Sequence, residues 1–169
     1  YVGAVRQGDR TLIVALLACG WPNNKNYKWA DTKTLVQYGL DQYGYCNYWE
    51  DAMQDQDIRI LEAGKKRTVK DAPAKDGNLY QDGTVNTFLN IDDQDREKRI
   101  LMKKTEAIQV QIEEKQEITA PIESGDILGT VTILLNGETL DEKPIVSGES
   151  IQKKNLLWIY RQLWKSYAL

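Results

Sequence analysis

The strongest constraint on the fold is a series of short segments in which apolar and polar residues alternate. Alternation places every second side chain on one face of a β-strand, so each segment predicts a strand with one buried face. The pair Asn136-Gly137 joins two of these segments, and this pair strongly favours a two-residue hairpin. The pattern predicts a small antiparallel sandwich or barrel with strands at 84–91, 107–112, 127–135 and 138–146.

Two neighbouring stretches are harder to assign. Ile58–Leu61 alternates and reads as a further short strand. Residues 65–83 are polar and contain one proline and two glycines, so no strand is predicted there.

The first 44 residues follow a different pattern. Residues 2–5 predict a strand and residues 7–9 a turn, and 11–19 is a nearly continuous apolar run. That run reads as a strand buried on both faces, with a helix as the rival interpretation. Residues 29–43 predict a helix that ends before Gly44.

About 45 residues cannot bury a hairpin and a helix by themselves, so we expect this part to be one edge of a larger α/β sheet. The predicted fold class is therefore an α+β fragment, followed by an all-β antiparallel sandwich and a C-terminal amphipathic helix. The corresponding domains are 1–44, 45–150 and 151–169. Because the chain enters a strand directly after Tyr1, we expect the sequence to be a piece of a longer protein.

Composition excludes several kinds of chemistry. Histidine is absent, which excludes Ser-His-Asp and Cys-His catalysis and every histidine-ligated metal site. The net charge of −3 argues against nucleic acid as the main partner. Cys19 and Cys46 are too few for a zinc site; one bridge between them is an open alternative, and Cys19 fits better as a small apolar core residue.

Two further patterns suggest chemistry only weakly. Asp92, Asp93 and Asp95 form an acidic turn that is typical of a solvated surface, with a weak calcium site as the alternative. Ser150 and Lys153 spell the Ser-x-x-Lys motif of penicillin-binding enzymes, but the companion Lys-Thr-Gly motif is absent, so we interpret the match as accidental. No residue is therefore predicted to be catalytic or to bind a metal or a cofactor.

Residues 151–169 differ in charge from the rest of the chain. The segment has four cations, no acid and two of the five tryptophans. On a helix, Lys154, Arg161 and Lys165 share one side, opposite a broad apolar face. The interrupting cations disfavour a transmembrane span, and a basic, tryptophan-rich helix is typical of an anchor in the plane of a membrane surface. The predicted membrane-binding residues are Lys154, Trp158, Arg161, Trp164 and Lys165.

The same pattern fits two other structures. The segment could be a terminal helix docked on its own domain, or a helix that binds the groove of a protein partner.

Several stretches resemble one family of enzymes in the same order along the chain. The N-terminal stretches are similar to the last two strands and the closing helix of the family's catalytic domain, and the later ones to its C-terminal β-domain. The family is the serine-type D-alanyl-D-alanine carboxypeptidases, the low-molecular-mass penicillin-binding proteins of peptidase family S11. The stretches are Val2-Gly-Ala-Val-Arg6, Arg10–Leu17, Trp29–Leu40, Ala120–Gly129, Asn136-Gly137 and Pro144–Val146.

The resemblance implies that residues 1–44 are the C-terminal remnant of a catalytic domain, and that 45–150 is a β stalk. It also implies that 151–169 is a membrane anchor at the extracytoplasmic face of a bacterial membrane. The parent enzyme would trim the terminal D-alanine from peptidoglycan stem peptides. The family's reactive serine and its companion motifs precede the stretch that matches Tyr1, so we expect this chain alone to be inactive.

One substrate contact is also implied. The family carries a basic residue just before its closing helix that meets the substrate's terminal carboxylate, and Lys28 matches this position. A solvated loop lysine is the alternative. At the level of function, the alternative to the whole assignment is an autonomous, non-catalytic β module that binds cell wall or another protein.

Overall fold

A computed structural model describes residues 1–17 and 26–167, which divide into two compact units. The first unit comprises Tyr1–Cys46 and Ile100–Glu106, and the second comprises Asn47–Arg99 and Ala107–Leu169. Cys19 lies outside the described residues, so the alternatives of a bridge to Cys46 and of a buried apolar role stay predictions.

The first unit is built from a hairpin, one long helix and a short strand pair. Numbered along the whole chain, its elements are β1 (Val2–Gln7), β2 (Arg10–Ala15), α1 (Tyr27–Gln42), β3 (Tyr43–Asn47) and β6 (Arg99–Lys103). Strand β1 pairs antiparallel with β2 around a turn in which Gly8 has a φ of 63°, and β3 pairs with β6. The Arg10 guanidinium donates to the carbonyls of Leu40 and Tyr43 at 2.8 and 2.7 Å, which satisfies acceptors at the end of α1.

The two faces of the hairpin differ in exposure. Val14 is buried, and the Leu12 side chain packs beside Gly39 of α1. The opposite face carries Val2 and Ile13, which are 70% and 73% exposed. Val2 and Ile13 therefore form an exposed apolar face on one side of the hairpin.

The second unit is a five-stranded antiparallel sheet with four helices. Its strands lie in the order β4-β5-β9-β8-β7. The elements are α2 (Tyr48–Ala52), α3 (Gln56–Ala63), β4 (Lys65–Pro73), β5 (Asp82–Leu89), α4 (Asp93–Arg96), β7 (Ile108–Glu114), β8 (Ile127–Leu135), β9 (Glu138–Ser147) and α5 (Leu156–Tyr167). The predicted hairpin turn joins β8 and β9, and Asn136 and Gly137 have φ values of 54° and 84°. Positive φ at both positions is what a two-residue turn of this kind requires.

The two edges of the sheet are joined to each other. Lys65 and Arg67 of β4 form ion pairs with Glu114 of β7, at 2.6 and 3.0 Å. Lys70 of β4 also forms a parallel bridge with Thr119, in the segment that follows β7. Covering both edges leaves few free backbone groups there for pairing with another chain.

The fold class predicted from the sequence is confirmed, since antiparallel sheets with a few helices are followed by a C-terminal helix. Burial in β5 alternates as predicted, with Val85, Thr87 and Leu89 buried on one face. The core between β4, β5 and the segment after β7 consists of Val69, Ala72, Val85, Ile118, Ala120, Ile122 and Leu128, with Ile151 packed against it.

Two assignments differ from the structure. The alternation at Ile58–Leu61 predicts a strand, but these residues lie in α3, where Asp55 caps the helix by accepting the backbone N–H of Asp57 at 2.8 Å. Ile58 and Leu61 are three residues apart and both are buried, a spacing that also fits one face of a helix. Strand β4 lies in the polar stretch for which no strand is predicted, because its charged residues pair with Glu114.

Candidate functional site

The most exposed apolar surface of the second unit lies on helix α5. At 100° per residue, one arc of α5 contains only aliphatic and aromatic side chains. Leu156, Tyr160 and Trp164 on this arc are 86%, 64% and 67% exposed. The rings of Tyr160 and Trp164, one helical turn apart, stack with their centroids 6.5 Å apart. We call this arc the apolar face of α5; its members are Leu156, Leu157, Ile159, Tyr160, Leu163, Trp164 and Tyr167.

One cation adjoins this face and a second lies further round the helix. Arg161 is exposed about 40° beyond Leu157, and the exposed Lys165 lies about 40° beyond Arg161, next to Trp158. Trp158 and Gln162 lie on the side away from the apolar face and are half-buried. Gln162 lies beside Gly77, where an added Cβ would be 2.6 Å from the Gln162 Oε1 atom. The helix thus turns its polar side to its own domain and its apolar side to solvent.

The connection between the sheet and α5 is held by hydrogen bonds. The Lys154 ammonium donates to the Gln81 carbonyl at 2.8 Å and to Asp82 Oδ1 at 3.1 Å. The Lys154 backbone N–H donates to the Asp71 carbonyl at 2.7 Å, and Lys153 Nζ lies 3.1 Å from an Asp71 carboxylate oxygen. Asp71 has a φ of 61° at a bulge in β4, and this backbone turn allows both contacts. These contacts fix the direction in which α5 leaves the sheet.

The helix begins with its own cap. The Asn155 side chain accepts the backbone N–H of Trp158 at 2.8 Å, as an N-cap residue does at the start of a helix. The helix therefore starts at Leu156, and Lys154 precedes it instead of sharing a side with Arg161 and Lys165. Of the five predicted membrane-binding residues, Trp164 lies on the apolar face and Arg161 beside it, and Lys165 is exposed further round the helix. Trp158 is half-buried on the side away from the apolar face, and Lys154 contacts the domain.

No helix within residues 1–17 and 26–167 is both long enough and apolar enough to cross a bilayer.

Lys28, the predicted substrate contact, lies in the first turn of α1. Its ammonium is 5.1 Å from the centroid of the Trp29 ring and 5.7 Å from that of Tyr1. These rings contact each other edge to face, at 5.5 Å. The role of Lys28 in substrate binding stays a prediction.

The Ser150-x-x-Lys153 match has ordinary structural partners. The Ser150 hydroxyl accepts the backbone N–H of Ser124 at 2.9 Å, and Lys153 pairs with Asp71. Asp92, in the acidic turn, caps α4 by accepting the backbone N–H of Asp95 at 2.7 Å. Across the described part of the chain, no group of three or more cysteine or carboxylate side chains converges to hold a metal.

Comparison with known proteins finds a family model that matches part of this chain. Residues 94–153 match the family described as penicillin-binding protein 5, C-terminal domain. The predicted resemblance to the C-terminal portion of a low-molecular-mass penicillin-binding protein is thereby confirmed.

Solved structures of similar proteins carry related names. They are the D-alanyl-D-alanine carboxypeptidase DacD from Francisella tularensis (16% identity, TM-score 0.41), penicillin binding protein 5 from Haemophilus influenzae (14%, 0.35) and a peptidoglycan synthesis regulatory factor, PBP3, from Streptococcus pneumoniae (16%, 0.33). Each similarity covers 90% of this chain but only 33%, 38% and 39% of those chains, respectively. This chain thus spans between a third and two fifths of their length. No curated protein matches it significantly.

The second unit also contains a polar cluster that the sequence analysis did not predict. Asp141 accepts hydrogen bonds from the Trp49 indole N–H at 3.0 Å and from the Tyr48 hydroxyl at 3.2 Å. Lys143 and Lys98 both pair with Asp95, and they lie 3.8 and 3.9 Å from Asp141. Its members come from α2, α4, β9 and the turn before β6, so only the folded chain brings them together.

The cluster shifts the acidity of its members. Burial, together with the charge of Asp141, raises the pKa of Tyr48 to about 12. Burial opposes ionisation of Asp141, but hydrogen bonds from Trp49 and the Glu142 backbone, together with the nearby lysines, hold its pKa below the usual value. The Lys143 and Lys98 ammonium groups likewise lower the pKa of Asp95. All three shifts favour the charged carboxylates and the neutral phenol. In these states the hydrogen bonds and ion pairs of the cluster hold α2 and α4 against β9.

Proposed function

We propose that this chain is the C-terminal region of a membrane-attached D-Ala-D-Ala carboxypeptidase that acts at the extracytoplasmic face of a bacterial membrane. In this proposal, the β-domain is a spacer, and α5 is an anchor that lies in the plane of the membrane surface. The parent enzyme trims the terminal D-alanine of peptidoglycan stem peptides. The match of residues 94–153 to the C-terminal domain of penicillin-binding protein 5 supports the first part of the proposal.

The observation that carries the anchor role is the exposure of the apolar face of α5. A terminal helix that merely docks on its own domain buries its apolar residues, whereas here Leu156, Tyr160 and Trp164 face solvent. Arg161 at the edge of that face, and Lys165 through its long side chain, can meet anionic headgroups, each contributing about 1 kcal/mol near the surface. The twelve described residues of α5 are enough for a helix that lies in the plane of the membrane surface.

Residues 1–44 fit the edge of a catalytic sheet. Val2 and Ile13 on the outer face of the hairpin are more than two thirds exposed, and Leu17, two residues after β2, is 93% exposed. Covering these three side chains would contribute several kcal/mol, at about 25 cal/mol per Å² of apolar area. A larger catalytic domain would supply such a cover.

Vesicle sedimentation tests the anchor role. The full chain should sediment with vesicles that contain phosphatidylglycerol at low salt, and sedimentation should weaken as salt screens the cations. A chain that ends at residue 155 should stay in the supernatant, because it keeps the capped connection but lacks α5. Equal sedimentation of both chains, or of neither, refutes the anchor role.

A fluorescent penicillin tests the expected inactivity of this chain. Penicillins acylate the reactive serine of these enzymes, and we expect no covalent label on residues 1–169, because no serine here has been assigned an activating base. The full-length parent is the positive control. A label on this chain would contradict the proposal.

A further inference from the structure

The loop between β4 and β5, residues 74–81, lies alongside helix α5. The Gln81 carbonyl accepts from Lys154, which precedes the helix, while Gly77 lies beside Gln162 in its second turn. These two contacts place the loop alongside α5 from its start to Gln162, with a chain direction opposite to that of the helix. The loop therefore lies next to α5 on the side that carries Gln162.

Helical geometry shows which edge of the apolar face the loop adjoins. Gln162 is 60° around the helix from Ile159, which begins the apolar face, and Leu163 follows. Ile159 is half-buried and Leu163 is 41% exposed, whereas Leu157 on the opposite edge is 62% exposed. The loop therefore lies on the domain side of α5, nearer to the Ile159 edge of the apolar face than to the Leu157 edge, which Arg161 adjoins.

The side chain of Tyr80, in this loop, is almost fully exposed to solvent. At 96% it is the most exposed large hydrophobic side chain among the described residues. The backbone around it is held in place, because the Tyr80 N–H donates to the Asn78 side chain and the Asn78 N–H to that of Asp76, both at 3.0 Å. Tyrosine favours the interface between lipid and water, where its ring is buried and its hydroxyl stays wet.

We propose that Tyr80 is a second membrane contact, which works together with the apolar face of α5. This inference rests on the proposed function, since it needs α5 at the membrane surface. The hydrogen bonds of Lys154 with Gln81 and Asp82 fix the loop against the helix, so the two contacts reach the bilayer together. The sheet then stands on the membrane with its β4–β5 end towards the lipid.

The charges near Tyr80 indicate how this contact responds to salt. Lys75 pairs with Glu149 at 3.4 Å, and Asp76 leaves no net positive charge on the loop. The contribution of Tyr80 therefore comes from its ring and should be independent of ionic strength, unlike that of Arg161 and Lys165.

Partitioning into vesicles tests the proposal. With equal parts of phosphatidylglycerol and phosphatidylethanolamine, Tyr80→Ser should weaken binding of the full chain about fivefold, because it removes partial burial of one aromatic ring. Tyr27→Ser is the matched control, since Tyr27 is half exposed and lies in the first unit, and it should change binding by less than about twofold. The loss for Tyr80→Ser should be the same at low and high salt.

Hydroxyl-radical footprinting measures the contact without a substitution. Trypsin releases residues 76–96, in which Tyr80 is the only tyrosine, and residues 26–28, which report on Tyr27. Vesicles should lower oxidation of Tyr80 severalfold while that of Tyr27 stays unchanged. If the chain binds vesicles but Tyr80 is oxidised at the same rate, the second contact is refuted and the anchor role stands. If the chain does not bind vesicles at all, both are refuted.

Discussion

Replacing the two tryptophans of α5 one at a time tests which side of the helix binds the membrane. Trp164 is 67% exposed on the apolar face, whereas Trp158 is half-buried on the side that faces the domain. A tryptophan offers about 200 Å² for burial, so two thirds of it at 25 cal/mol per Å² is worth about 3 kcal/mol on full transfer. An in-plane helix leaves part of the ring hydrated, so we take about half, or about 1.5 kcal/mol. Trp164→Ala should therefore weaken vesicle binding about tenfold.

Trp158→Ala serves as the matched control for Trp164→Ala. It should leave vesicle binding within about threefold but lower the melting temperature, because it removes contact with the domain. Binding is measured by sedimentation at several lipid concentrations, and folding by thermal unfolding without lipid. Equal losses of binding for the two variants, or a larger loss for Trp158→Ala, would refute the assignment of the two faces.

Three further predictions concern the stability of the β-domain. Asp141→Ala should lower the free energy of unfolding by about 3 kcal/mol, or roughly 10 °C in melting temperature, because it leaves the Trp49 and Tyr48 donors without their acceptor and removes the second carboxylate near the two lysines. The exposed Glu142→Ala is the control and should cost under about 0.5 kcal/mol. The pKa of Asp141 is lower in the folded state, so its contribution to stability is present above its unfolded pKa of about 3.9 and is lost as pH falls through the folded value. In urea titrations, the difference in unfolding free energy between the wild type and Asp141→Asn should therefore shrink in acid. A difference that stays constant with pH would contradict this. Gly129→Ala places a Cβ 2.5 Å from the Glu113 carbonyl oxygen and should destabilise the protein by roughly 1–3 kcal/mol. Gly44→Ala is the control, because a Cβ at Gly44 meets open space, and it should be nearly neutral. Similar melting temperatures for the two variants would rule out the clash at Gly129.

The parts of the fold that follow from local pattern could be predicted from the sequence. The Asn136-Gly137 turn and the strands on either side of it depend on neighbouring residues alone, and the structure has them. The first hairpin and the helix that ends before Gly44 are of the same kind. Strand β4 could not be found this way, since Lys65 and Arg67 are suited to it only through Glu114, 47 or more residues away along the chain.

The candidate site was predicted in character but not in detail. Charge and tryptophan content indicate the amphipathic tail, but the start of α5 depends on the Asn155 cap and on the contacts of Lys154 with β5. Those contacts decide that Lys154 and Trp158 face the domain. Similarly, the cluster around Asp141 combines residues from four elements, and no spacing along the chain indicates it.

Quenching of tryptophan fluorescence by brominated lipids tests the central claim most directly, because bromine quenches only rings that reach the lipid. We compare the wild type with Trp164→Phe and Trp158→Phe, which keep an aromatic ring at each site. If the apolar face of α5 lies in the membrane, the wild type is quenched, Trp164→Phe loses most of that quenching and Trp158→Phe loses little. Quenching that is absent in the wild type, or unchanged in Trp164→Phe, would contradict the account.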